Sequence, residues 1–208
     1  MTKTLRVSTV LTIAALSAWT LAGCTNTATP TASEEVSPSA SATSTPTPSS
    51  TELVLSDEEA GDLYLSIVCD NNAAIDALAT AFNEGEAELL AGGAPDPANV
   101  QEKAQNRIEL NGMSLDILDD SFYVWPKRIR EDISHIRESY LSELSTLNQM
   151  ATSDFETAYY STFAETEGGA TAGQNIRYEL GLDANTSTSC DDFYGKLPEI
   201  HAETASRS

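Results

Sequence analysis

Basic residues are scarce in this chain: 11 Lys and Arg stand against 32 Asp and Glu across 208 residues. A net charge of −21 repels phosphate backbones and anionic lipid, so nucleic acid is disfavoured as a partner. Histidine occurs only at His135 and His201, so most acid–base schemes would fall to carboxylates. No stretch alternates polar and apolar residues with period two, and β-branched runs are missing. That leaves an all-α architecture. It also argues against the two-domain α/β solute receptor, which needs strands and greater length. Ser-x-x-Lys and glycine-rich phosphate loops are absent. Gly112-Met113-Ser114-Leu115-Asp116 matches half of a nucleophile elbow but has no strand before it.

The N-terminus is more specific. Lys3 and Arg6 precede an apolar run from Val7 to Ala22, which ends in Leu21-Ala22-Gly23-Cys24. The run is shorter than the roughly 20 apolar residues a membrane span needs, so a cleaved secretory leader is expected over 1–23. The tetrapeptide resembles the lipobox of bacterial lipoproteins. That resemblance implies cleavage before Cys24 and a diacylglyceryl group on its sulfur. It also implies a lipid-anchored position on the extracytoplasmic side of the cell membrane. Two or three acyl chains would anchor stably where one binds only marginally. Loss of the leader leaves nine bases against the 32 acids.

Residues 24–51 hold the lipidation cysteine and a stalk. Fifteen of the 27 residues after Cys24 are Ser or Thr and four are Pro, so the segment cannot bury enough apolar surface to offset chain entropy. A disordered coil of this length averages roughly 30 Å and reaches about 80 Å extended. Cys69 and Cys190 then remain as an even pair, and a disulfide suits an oxidising compartment. The alternative is a free thiol at Cys69, although no flanking base would lower its pKa.

Residues 52–208 read as a four-to-five-helix bundle. Ser56 with Asp57-Glu58-Glu59 is a capping box that opens helix one, and Gly92-Gly93 ends it. Asp96-Pro97 opens helix two, with Val100, Ala104, Ile108, Leu115, Leu118 and Phe122 on its inner stripe. Helix three follows Trp125-Pro126, with Ile129, Ile133, Ile136, Tyr140, Leu144 and Leu147 in line. A second capping box, Ser153 with Glu156, is expected to open a helix four that runs to Gly168-Gly169. A short helix around 172–180 ends at Gly181. Cys69 faces away from the helix-one stripe, near Leu65. The C-terminal segment carrying Cys190 should therefore cross the outer face of helix one.

Few residues suggest chemistry. Asn71 and Asn111 interrupt apolar stripes, either as satisfied buried amides or as the lining of a polar pocket between helices one and two. Lys127, Arg128 and Arg130 cluster beside Trp125 at the start of helix three. They serve either an anionic or sugar-like ligand or salt bridges to Asp119, Asp120, Glu131 and Asp132. No metal site is expected: Asp132 and His135 make one surface Asp-x-x-His, His201 lies in the tail, and Asp183–Ser187 lacks the later residues of a calcium loop. No cofactor is expected either.

The lipobox, stalk and two-cysteine helical domain together resemble small surface lipoproteins of Gram-positive, especially actinobacterial, bacteria. The reading is a non-catalytic binding, accessory or spacer module at the envelope, with another envelope protein or a small ligand as its partner. The alternative is a carboxylate-based hydrolase of envelope glycans, which needs two acids of displaced pKa near Trp125 or Tyr159-Tyr160.

Overall fold

The computed structural model describes residues 52–164, 166 and 168–207. The leader (1–23), Cys24 and the stalk (24–51) lie outside the described residues. The described chain is a helical bundle. Its long elements are α1 (Asp57–Leu90), α2 (Ala98–Leu118) and α3 (Arg130–Met150). Shorter ones follow: α4 (Phe155–Tyr159), α5 (Gly169–Leu180), α6 (Thr186–Ser189) and α7 (Leu197–Arg207). Two-residue strands β1 (Leu53–Val54) and β2 (Tyr123–Val124) pair in parallel, and a 3₁₀ turn over Lys127–Ile129 leads into α3.

Helix α1 begins as its capping box dictates. Glu59 N–H donates to Ser56 Oγ, and Ser56 N–H donates back to Glu59 Oε2 at 2.8 Å. At 34 residues it is about 50 Å long. The stretch from Leu63 through Cys69 is buried on every side, because α2, α5 and α7 all pack on this helix. Cys69 and Cys190 form the disulfide, 121 positions apart. Leu65 is buried in the same core cluster as Cys190 and Leu197, so the C-terminal segment covers the outer face of helix one as its cysteine phase requires. Next to the disulfide, Asp70 accepts the N–H groups of Gly195 and Leu197.

Three local expectations change. Helix four is only five residues long, and its cap is Asp154, which accepts from Thr157 N–H at 2.8 Å. Ser153 is already used: its hydroxyl donates to Gln149 C=O at 2.7 Å and finishes α3. Beyond Tyr160, Thr146 Oγ1 holds Thr162 C=O, so Phe163 reaches the core from irregular chain and not from a continued helix. The tail is the second change. Residues 197–207 form α7, which packs on α2, and His201 is therefore helical and pairs with Asp116. The third is the inner face of α2, which runs Val100, Ala104, Arg107, Asn111, Ser114 and Ile117; Ile108 and Leu115 lie at its margins, and Phe122 lies beyond the helix end in a turn where its N–H donates to Asp120 Oδ1. Among the described residues, no helix is long and apolar enough to cross a membrane.

Candidate functional site

The α2 face explains the first polar feature. Arg107 follows Ala104 by three residues and precedes Asn111 by four, so one turn of helix aims both into the core. Glu143 stands likewise between Tyr140 and Leu147 on α3. Arg107 Nε and Nη2 lie 3.0 and 2.6 Å from Glu143 Oε2, while its Nη1 donates to Asn71 C=O at 2.6 Å. Asn111 Nδ2 donates to the same Glu143 oxygen at 3.1 Å and to Tyr140 C=O. Asn71 Nδ2 donates to Ser114 Oγ and to Ile67 C=O, both at 2.8 Å. Asn71 and Asn111 are thus joined through Arg107 and Glu143. Both are sealed from solvent, at 1% and 0% exposure, so they back the site and do not line an open pocket.

In front of this network lies a crevice of about 260 Å³ between α1, α3 and α5. Tyr64, Arg107, Tyr140, Glu143 and Arg177 bring its charged and phenolic groups together, and Gly169 and Gly173 leave the α5 side bare. Arg177 is buried at 3% exposure, with Nη1 donating to Asp183 C=O and Ser189 Oγ. Its Nη2 is buried without an acceptor. The Tyr64 hydroxyl donates to Gly173 C=O at 3.4 Å, near the limit of a hydrogen bond. Burial raises the Tyr64 pKa, and the Arg177 charge pulls it part of the way back. Burial, reinforced by Tyr64, raises Tyr140 as well.

The basic cluster is placed elsewhere and is dispersed. Arg128 bridges Asp57 at 2.6 Å and Glu179 at 3.4 Å. Its ion-pair partners are therefore acids distant in sequence, not the nearby Asp119 and Asp120. Arg130 Nε donates to Trp125 C=O at 2.8 Å, and Lys127 is exposed. The Trp125 indole is buried at 7% exposure, so the structure does not present it with the three cations as one surface. Tyr159 donates to Glu86 and stacks on Phe155, and Tyr160 is exposed. Asp119 and Asp120 pair with Arg137 and Arg207. Among the described residues, no group of three or more His, Cys, Asp and Glu could hold a metal ion.

Sequence reasoning passed over Arg107, Glu143 and Arg177. The signal for the first two was their helical phase: each falls on its helix's apolar stripe, where a lone charge must find a buried partner. Arg177 offered less, because its neighbour Ile176 is buried as fully and the stripe is short.

No protein-family model, curated protein or solved structure matches this chain.

Proposed function

We propose that the chain is a lipid-anchored module on the extracytoplasmic face of the membrane, which binds a ligand or partner without transforming it. The observation that carries this reading is the Cys69–Cys190 disulfide. Disulfides persist in oxidising compartments, and this one accounts for two of the three cysteines. Cys24 is left over at the lipobox, where acylation would use it. The crevice supports a binding role. Glu143 is the carboxylate among its described lining residues, and it is engaged by Arg107 and Asn111. Glycan cleavage uses two carboxylates about 5–10 Å apart with distinct roles.

Metabolic labelling with an alkynyl fatty acid tests the reading in a bacterial host. The wild-type chain should take up the label and partition into detergent, whereas Cys24→Ala should do neither. The membrane-bound protein should resist alkylation at Cys69 and Cys190 until reduced. An unlabelled wild-type chain with both thiols open would overturn it.

A further inference from the structure

We propose that the crevice between α1, α3 and α5 is a binding site for a small soluble oxyanion of the phosphate class, held against Arg177. This rests on the binding role above and names the chemistry of its ligand. Arg107 and Arg177 place two guanidinium charges at the crevice, and Glu143 places one opposing carboxylate there. That carboxylate is committed to Arg107, with Asn111 bonded to the same oxygen. Arg177 has two neutral acceptors on one nitrogen, none on Nη2, and the Tyr64 ring centre 5.9 Å from its guanidinium carbon. No carboxylate among the described residues lies within ion-pair distance of it.

Arginine cannot relieve this by losing its proton, and a buried water would satisfy a hydrogen bond but not the charge. A buried charge held only by neutral groups still carries a desolvation cost that an approaching opposite charge offsets. The surroundings also suit an anion. Glycine at 173 keeps side chains off the wall; a Cβ there would come within 3.2 Å of the Tyr64 hydroxyl oxygen. The long bond from Tyr64 to Gly173 C=O is a weak one to give up, so that hydroxyl can turn to donate to a ligand. A volume of about 260 Å³ admits a phosphate group or a small phosphorylated molecule and falls below the range of larger cofactor pockets.

The test is an NMR titration of the full chain, in neutral detergent, with sodium phosphate against sodium chloride at equal ionic strength. Phosphate should shift the Arg177 side-chain signal and the Gly173 amide saturably, with half-saturation at about 1 mM or below. In Arg177→Gln the response should weaken about tenfold or more, as expected for loss of a charge-assisted contact. Circular dichroism and an intact Cys69–Cys190 bond would show that the variant is folded. An equal response to chloride, or an undiminished one in folded R177Q, overturns the site. Should R177Q fail to fold, an unmoved Arg177 signal in the wild-type chain overturns it and a saturable shift supports it. The titration does not depend on acylation, so its failure leaves the anchored location standing, and a failed lipid label leaves the oxyanion site standing.

Discussion

Two nitrogens of Arg107, on α2, converge on a single oxygen of Glu143, on α3, at 3.0 and 2.6 Å. The pair is well shielded, with side-chain exposures of 6% and 15%. Removing one member therefore strands a charge in the core. Glu143→Gln should destabilise the fold by about 3–5 kcal/mol, because Arg107 keeps its charge while its counter-charge becomes a neutral amide. Replacing both, as Arg107→Met with Glu143→Leu, should cost far less than the single change. Urea denaturation of the two variants checks this; equal losses for the single and double variants would show that the pair is not the relevant unit.

Cys69–Cys190 and the Asp70 contacts form one clamp on the outer side of α1. The bond closes a loop of 121 positions, and its loss as Cys69→Ala with Cys190→Ala should lower stability by about 2–5 kcal/mol. Asp70→Ala, with the disulfide intact, should cost about 1–3 kcal/mol, since two backbone N–H groups lose a charged acceptor. The two effects should be less than additive, because without the bond the 195–197 segment is already loosened. Thermal melts of the single sites and the combination measure this coupling.

Tyr64 and Tyr140 make the fold sensitive to alkali. Burial raises both above the ordinary tyrosine value of 10.0. A folded pKa above the unfolded one gives stability that is fully present below pH 10 and is lost as pH rises toward the folded value. Each such tyrosine should contribute a fall of up to about 1.4 kcal/mol per pH unit in that window. Absorbance at 295 nm should show the two ionising together with unfolding and not before it. Tyr140→Phe should flatten the alkaline limb, and an unchanged limb would show that other groups control it.

The bundle was legible in the sequence wherever local signals and tertiary packing agreed. Ser56 and Glu59 spelled the start of α1, Gly181 the end of α5, and the phase of Cys69 gave the side on which the C-terminal segment lies. Local chemistry misled where one residue had two possible tasks. Ser153 has the spacing of a cap for α4 but is drawn into the end of α3, and Asp154 takes its place. Helix α7 was missed because its few apolar residues, Leu197 and Ile200 among them, do not make a long stripe. Packing on α2 stabilises it, and no propensity signal encodes that packing. The site was half legible. Asn71 and Asn111 stood out as polar breaks, while Arg107 and Glu143 were lost among many surface charges, although their phase differed from that of their neighbours.

The C-terminal helix also closes onto the start of the folded region. Arg207 Nη2 donates to Asp120 Oδ2 at 3.1 Å and to the Tyr123 hydroxyl at 2.8 Å, and the guanidinium lies 4.2 Å from the Phe122 ring centre. The same segment receives β1, since Leu53 N–H donates to Phe122 C=O and Leu55 N–H to Val124 C=O. Arg207 therefore braces the loop that holds the entry strand. Arg207→Ala should cost about 1–2 kcal/mol overall, from a charge-assisted bond and a cation–π contact that are both partly exposed. The larger effect should be local: hydrogen exchange at the Leu53 and Leu55 amides should speed up by more than the global loss accounts for. Exchange that rises only in step with global stability would mean that β1 is held by its pairing with β2 alone.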